Sequence, residues 1–196
     1  ASGGGVIVLG QPGANPDDWG AANGTTLVIN ARITGTNSLE SYVGVPGTGI
    51  MVLSNTGNNF AGDVYINSSV ISVPSIANAG IASPLGSGTQ VQLRNASALL
   101  YTGTGDTTNR TIVLSGTTDG GTLDQSGTGV LRFVTNLSVT GSGVKALTLQ
   151  GSTSGTGEFA GVIGNGAAAT GITKAGTGTW VLSATNTYTG VTTING

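Results

Sequence analysis

Apolar residues along this chain occur in short runs of three to six residues, separated by turns rich in glycine. The clearest runs lie at 26–29, 90–94, 111–114, 146–149 and 180–182. In the second run apolar and polar residues alternate, which is typical of a strand with one buried face. This alternation places Val91 and Leu93 in a core and the other three residues in water. No run has the three- and four-residue spacing of an amphipathic helix.

The pattern therefore predicts short β-strands throughout and no helical domain. One residue or more from each clear strand is expected to lie in the interior. These residues are Val28, Val91, Leu93, Leu114, Leu149 and Leu182.

Two stretches rich in proline and glycine interrupt the strands, at 11–24 and 74–88. Both are interpreted as loop excursions from the regular structure and not as interdomain linkers, because strand-like runs resume at once on each side. Residues 1–196 are accordingly expected to form a single segment, as an excerpt or repeating unit of a longer chain or fibre.

An internal repeat supports a repetitive fold. Residues 47–67 and 176–195 align with one residue deleted, and both begin with Gly-Thr-Gly. The aligned positions then include Leu53-Ser54 with Leu182-Ser183, and Phe60 with Tyr188. They also include Gly62 with Gly190, and Ile66-Asn67 with Ile194-Asn195.

Composition chooses among the folds that short strands allow, which are a sandwich, a barrel and a solenoid. Glycine, threonine, serine and asparagine make up about half of the chain, whereas only 7% of residues are charged. In a parallel solenoid each outward side chain lies about 4.8 Å from its equivalent in the next coil. Like charges repel at that distance, while Thr, Ser and Asn hydrogen-bond to one another. The prediction is an all-β parallel solenoid of about nine rungs, roughly 40 Å long.

Charge and residue types exclude several function classes. Six Lys and Arg against eight Asp and Glu give a net charge of −2, and the basic residues are scattered singly, which disfavours nucleic acid. The chain has no Cys and no His, so it has no thiolate ligand and lacks the most common general base. No apolar run approaches the roughly 20 residues of a membrane helix. We therefore expect no enzyme activity, no cofactor, no metal and no membrane insertion of this segment.

A few acidic residues are weak candidates for a site. Asp17 and Asp18 stand beside Trp19, and acids next to an aromatic ring suit a sugar, although a solvated loop is the favoured explanation. Asp119 and Asp124 flank two glycines, as a turn with acidic rims or, less plausibly, as a carboxylate pair of a glycosidase. The sequence at 103–106 is similar to a calcium-binding repeat of other β-rolls, but it occurs once.

Residues 174–196 resemble the passenger-associated transport repeat of bacterial autotransporters. The shared positions are Lys174, Gly176, Gly178, Leu182-Ser183, Asn186-Thr187-Tyr188-Thr189-Gly190 and Thr192 to Ile194. Residues 47–67 are a degraded copy, and 85–93 are similar to the stretch that usually follows the repeat. Trp180 and Ala184 depart from the usual pattern. The resemblance implies a right-handed parallel β-helix, secreted or displayed on the surface of a bacterium with an outer membrane.

The ends of the predicted solenoid show no cap, so end-to-end self-association is expected there. The residues expected to take part are Val6, Ile7, Val8 and Leu9 in the first coil and Val191, Thr193 and Ile194 in the last. The leading functional hypothesis is a non-enzymatic stalk, scaffold or fibre whose partner is itself. The alternative is an adhesin-type module that binds a host receptor or surface polysaccharide, and a polysaccharide lyase or hydrolase is less favoured.

Overall fold

A computed structural model of the chain describes residues 5–10, 16–42, 49–117, 119–151 and 155–196. These residues contain twenty β-strands and no helix. In chain order the strands are β1 (Val6–Leu9), β2 (Asp17–Trp19), β3 (Thr26–Ile29), β4 (Arg32–Gly35), β5 (Leu39–Tyr42), β6 (Ile50–Leu53), β7 (Val64–Asn67), β8 (Val70–Val73), β9 (Gln90–Arg94), β10 (Ser97–Tyr101), β11 (Asp106–Thr108), β12 (Thr111–Ser115), β13 (Gly120–Gln125), β14 (Val130–Phe133), β15 (Ser138–Val139), β16 (Lys145–Gln150), β17 (Thr156–Phe159), β18 (Thr170–Lys174), β19 (Thr179–Leu182) and β20 (Thr192–Ile194).

The strands stack into parallel sheets along the sides of a coil. Sheet 1 has eight strands in the order β20-β18-β16-β13-β10-β8-β6-β3, and sheet 2 has six in the order β15-β12-β9-β7-β5-β2. Sheet 3 has four strands in the order β11-β14-β17-β19, and β1 pairs with β4. Neighbouring strands are parallel in all four groups. The predicted all-β parallel solenoid is therefore confirmed.

The number of coils is slightly lower than predicted. Six coils contribute a strand to both sheet 1 and sheet 2, in place of the expected nine rungs. The coils differ in length, because the corners between their strands contain different numbers of residues. Ile50 pairs with Val70, 20 residues later, whereas Val70 pairs with Ala98, 28 residues later.

The core consists of columns of inward side chains, one from each coil. One column in sheet 1 is Met51, Ile71, Leu99, Leu123 and Leu149, all buried. In sheet 2 the side chains of Leu39, Val64, Val91 and Ile112 form a similar column. Burial of each large aliphatic side chain contributes about 1.5–3 kcal/mol. Within the described residues the buried side chains form one hydrophobic cluster along the stack.

The predicted interior residues can be checked one by one. Val91, Leu93, Leu114 and Leu149 are buried as predicted, and Leu182 is half-buried against the core. The prediction for Val28 is wrong, because its side chain is 55% exposed. Strand β3 has apolar residues on both faces, and its register directs the neighbouring positions 27 and 29 inward. Since side chains alternate, Val28 points outward.

The excursion at 74–88 packs closely against the stack around one buried side chain, Arg110. The guanidinium donates hydrogen bonds to the backbone carbonyl oxygens of Ala77 (2.9 Å) and Gly86 (2.7 Å), and to the Ser83 hydroxyl (3.3 Å). Burial lowers the pKa of Arg110 to about 10, although the negative charge of Asp63 opposes the shift. This excursion is a fixed part of the structure.

The excursion predicted at 11–24 is not a loop throughout. Residues 11–15 lie outside the described residues, but Asp17–Trp19 form β2 and pair with β5 in sheet 2. The two acidic residues and the tryptophan are therefore strand residues, with the alternating directions of a strand.

Candidate functional site

The first predicted self-association segment is β1, which pairs with β4 along one edge. Ile7 lies opposite the buried Ile33, and Leu9 is itself buried, so both belong to the core. Val6 and Val8 point outward and are exposed on the side of the solenoid. Only Ile7 and Leu9 thus contribute to the cross-section that a further coil would cover.

At the other end, β20 pairs with β18 along one edge. Ile194 continues a core column through Lys174 to the buried Leu149, yet its side chain is 75% exposed because no later coil covers it. Thr193 lies opposite Thr173 on the outside of sheet 1. Val191 is exposed, and its carbonyl oxygen accepts a hydrogen bond from the Ile172 amide (3.0 Å).

The outer strands of the sheets leave open edges among the described residues. Strands β3 and β20 each have one neighbour in sheet 1, and β2 has one in sheet 2. The second edge of such a strand carries backbone donors and acceptors that can pair with another strand. At one end of the stack, the edge of β20 and the exposed Ile194 form a surface suited to a further coil, and the edges of β2 and β3 lie at the other end.

The predicted ligand residues Asp17, Asp18 and Trp19 do not form one surface. Asp17 is buried, and its Oδ2 accepts a hydrogen bond from the Gly10 amide (2.9 Å). Trp19 also points inward and packs against the core. Asp18 points outward and is exposed. Alternation along β2 thus separates the Asp18 carboxylate from the other two side chains.

The other acidic candidates bond to nearby protein groups. Asp124 accepts hydrogen bonds from the Ser126 hydroxyl (2.6 Å) and the Gln150 amide (2.7 Å) on the outside of sheet 1. Asp119 lies at a corner with a φ of 66° and lines a shallow surface cleft of about 240 Å³, whereas Asp124 does not line it. The two carboxylates that the sequence suggested as a pair are therefore not brought into one cleft.

Asp106, in the sequence similar to a calcium repeat, has a structural role. It accepts hydrogen bonds from the Tyr101 hydroxyl (2.9 Å) and the Ile76 amide (3.0 Å). Burial, followed by the hydrogen bond to Asp106, raises the pKa of Tyr101 to about 12. Among the described residues, no cluster of three or more His, Cys, Asp or Glu side chains is placed to hold a metal ion.

The sequence did not predict the outer surface of sheet 2, which we call the polar face. Two columns of outward residues define it. The first is Asp18, Glu40, Tyr65, Gln92, Val113 and Ser138, and the second is Tyr42, Asn67, Arg94 and Ser115.

Arg94 is at the centre of a hydrogen-bond network on the polar face. Its guanidinium lies 4.5 Å from the centre of the Tyr65 ring and 3.6 Å from Glu40 Oε1. It also donates to the Ser115 hydroxyl (3.1 Å) and to the Gln92 side-chain oxygen (3.4 Å). These contacts fix the position of the arginine across four coils, from β5 to β12.

Amide side chains extend the same network. The Asn67 side-chain amide donates to Glu40 Oε1 (2.8 Å), and the Asn95 amide donates to Asn67 Oδ1 (2.8 Å). Alternation at 90–94 correctly predicted that Gln90, Gln92 and Arg94 face water. It could not place Glu40 and Tyr65 beside them, since that depends on corners of unequal length.

The outer face of sheet 1 differs in chemistry. Its two outward columns are Thr26, Ile50, Val70, Ala98, Thr122, Thr148, Thr173 and Thr193, and Val28, Val52, Ser72, Leu100, Asp124 and Gln150. The early coils present aliphatic side chains, and the later coils present mainly threonine. Neither column contains an aromatic residue.

Comparisons with known proteins agree with the pattern of the last coils. Residues 172–196 match the family model of the passenger-associated-transport-repeat. A protein named adhesin BmaC autotransporter, from Brucella suis biovar 1 (strain 1330), is 37% identical to the chain over 134 residues. The match covers 64% of this chain and 4% of that protein. No solved structure matches the chain.

These matches confirm the resemblance found in the sequence. The chain carries a passenger-associated transport repeat and is similar to part of an autotransporter passenger domain. In the part of the chain that the structure describes, no helix has the length and apolar character needed to cross a membrane.

Proposed function

We propose that this chain is a non-enzymatic structural segment of a bacterial surface or extracellular β-solenoid, serving as a stalk, scaffold or fibre. The observation that carries the proposal is the eight-strand parallel ladder of sheet 1, which runs without a break from β3 to β20. A column of buried aliphatic side chains lies beneath it. A rigid rod built in this way transmits load along its axis and holds its two ends at a fixed distance. Neither role needs a reactive centre.

The ends of the rod supply the means of extension. An added coil would pair with the open edge of β20 and cover Ile194, which is exposed here although it continues a core column. Such a contact joins the last coil of one unit to the first coil of the next, so it does not close and produces a fibre. The same geometry serves a covalent continuation in a longer chain.

Sedimentation and electron microscopy of the 19.1 kDa chain test the stacking. We expect rods whose length increases with protein concentration. Ile194→Asp places a charge on the open cross-section and should shorten the rods, whereas Val144→Asp, at another exposed aliphatic residue away from that end, should not. A monodisperse monomer at every concentration would contradict stacking and leave covalent continuation as the means of extension.

The surface location is tested in intact bacteria. With an antibody epitope inserted at the exposed turn Asn23-Gly24, the segment should be accessible to antibody and external protease without breaking the outer membrane. Accessibility only after cell lysis would contradict the proposal. This placement follows from the similarity to an autotransporter passenger and from the transport repeat at residues 172–196.

The second candidate is an adhesin-type module that binds a host receptor or surface polysaccharide. The similar Brucella protein is named an adhesin, which favours this candidate over a lyase or hydrolase. Binding through the predicted residues would have to use the exposed Asp18, because Asp17 and Trp19 face the core. Loss of host-cell binding in Asp18→Asn would support that site, and unchanged binding would exclude it. Release of reducing sugar that disappears in Asp124→Asn would instead indicate an enzyme.

A further inference from the structure

We propose that the polar face of sheet 2 binds a neutral polysaccharide chain laid along the solenoid. The central residues are Tyr42, Tyr65, Gln92 and Arg94, with Glu40 and Asn67 between them in the register of the sheet. This site shares only the outward Asp18 with Asp17–Trp19, and its central residues lie away from the open ends. It does not depend on end-to-end stacking.

The groups on the polar face match the chemistry of a sugar. Sugar hydroxyls both donate and accept hydrogen bonds, and the face offers amide and guanidinium donors beside amide and carboxylate acceptors. The C–H faces of a sugar ring pack on aromatic rings. The three phenylalanines are buried, whereas Tyr42 is 44% exposed and Tyr65 is half-buried, and both point outward from this sheet.

The polar face is also ordered before any ligand arrives. Arg94 is held by Ser115, Gln92, Glu40 and the Tyr65 ring, and Asn67 is held by Glu40. Side chains that are already fixed lose little conformational freedom on binding. The network therefore favours recognition of a weakly binding, repetitive ligand.

Charge and shape narrow the ligand class. Asp18 and Glu40 on the face carry two negative charges, against one positive charge on Arg94, so a sulfated or nucleic acid polymer would meet net repulsion. Small-molecule sites are concave, whereas this surface is one side of a sheet. The accessible part of the face lies on β2, β5, β7 and β9, since Val113 and Ser115 of β12 are buried. Four strands at about 4.8 Å extend over roughly 14 Å, which suits a few units of an extended chain. A neutral polysaccharide fits both conditions.

Affinity electrophoresis in gels that contain dextran, mannan, xylan or soluble β-glucan tests the proposal. We expect at least one of these neutral polymers to retard the protein. The double variant Tyr42→Ala, Gln92→Ala should weaken that binding at least tenfold, while its thermal unfolding stays close to that of the unchanged protein. The matched control is Leu100→Ala, Thr148→Ala on the outer face of sheet 1, which should bind within twofold of the unchanged protein.

A second measurement uses the unchanged protein and so does not depend on the folding of a variant. The retarding polysaccharide should protect Tyr42 from nitration, as detected by peptide mass spectrometry. Three results would overturn the proposal: no retardation by any neutral polymer, retardation by sulfated dextran alone, or equal loss of binding in the two double variants. Unchanged nitration of Tyr42 in the presence of the bound polymer would also overturn it.

Discussion

Residues 49–67 and 178–195 repeat one pattern of side chains, but they occupy different sides of the solenoid. In the first copy β6 belongs to sheet 1 and β7 to sheet 2, whereas in the second β19 belongs to sheet 3 and β20 to sheet 1. Gly47 and Thr48, which begin the first copy, lie outside the described residues. The repeat thus encodes a strand, a corner and a second strand, without specifying a side of the coil.

The two copies make equivalent contacts to the preceding coil. The Ser54 amide donates to the Ile29 carbonyl oxygen, and the Ser183 amide donates to that of Phe159, both at 3.3 Å. In the corner that follows, an asparagine side chain accepts a hydrogen bond from a backbone amide of the preceding coil. Asn58 accepts from Ile33 and Asn186 from Ile163, both at 2.8 Å.

The copies differ in what covers them. Asn58 is buried and also donates to the Pro84 carbonyl oxygen in the next coil (3.0 Å), whereas Asn186 donates to Ala184 in its own coil (3.1 Å). Phe60 is buried, and the aligned Tyr188 is half-buried. The same motif therefore contributes differently to the free energy of unfolding in its two copies. The contribution depends on whether a coil lies on one side of the motif or on both.

The largest expected difference concerns the aromatic residues. Phe60→Ala should lower the free energy of unfolding by about 3–5 kcal/mol, because it opens a cavity in a closed core. Tyr188→Ala should lower it by only about 1–2 kcal/mol, since the side chain is half-buried. Urea denaturation followed by circular dichroism measures both. Equal losses in the free energy of unfolding would show that coverage by a following coil does not determine the size of the loss.

The next difference concerns the glycine that follows each aromatic residue. A Cβ on Gly62 would lie 2.3 Å from the Ser38 amide nitrogen, and one on Gly190 would lie 2.4 Å from the Thr170 carbonyl oxygen. Both alanine variants force neighbouring coils apart. We expect about 3 kcal/mol for Gly62→Ala, at the upper end of overpacking costs, and about 1 kcal/mol for Gly190→Ala, where the last coil can move away.

Gly57→Ala is a matched control for this pair, because its Cβ would approach only a side-chain oxygen of Asn55, at 3.2 Å. It should change the midpoint of urea denaturation much less than Gly62→Ala does. A larger loss for Gly190→Ala than for Gly62→Ala would reverse the interpretation.

The corner asparagines should differ by a smaller amount. Asn58→Ala leaves the buried Ile33 amide and the Pro84 carbonyl oxygen without a partner, which should cost about 2–3 kcal/mol. Asn186→Ala leaves only the Ile163 amide and should cost about 1 kcal/mol. Hydrogen exchange offers a site-specific measurement. Protection of the Ile33 amide should fall in Asn58→Ala, and unchanged protection there would contradict the assigned hydrogen bond.

The smallest expected effect comes from Tyr188→Phe, which we compare with the reverse exchange at Phe60. Tyr188→Phe removes an exposed hydrogen bond between the tyrosine hydroxyl and Thr192 Oγ1 (2.8 Å), and it should cost less than about 0.5 kcal/mol. Phe60→Tyr adds a hydroxyl to a buried site and should cost about 1–3 kcal/mol. Thermal melts of the two single variants decide the order. A larger loss for Tyr188→Phe would mean that Tyr188 is not the less constrained copy.

Local patterns in the sequence predicted the parts of this structure that depend on neighbouring residues. Alternation at 90–94 gave the correct faces for Val91 and Leu93, and the low charge content correctly favoured parallel stacking. The direction of the Val28 side chain could not be predicted, because β3 has apolar residues on both faces and so lacks the alternation that distinguishes the buried face. The set of residues that form the polar face could not be predicted from the sequence either. It depends on the register between Tyr65 and Gln92, and thus on the lengths of the corners between strands.

Arg110 joins two successive coils into one cooperative unit. The carbonyl oxygens that it binds belong to residues 77–88, so the donor and its acceptors are more than 20 residues apart in the sequence. Separation of the two segments would leave the buried guanidinium and these carbonyl oxygens without partners, and each unsatisfied buried group costs about 1–3 kcal/mol. The excursion at 74–88 and the coil that holds Arg110 are therefore expected to unfold together and not one after the other.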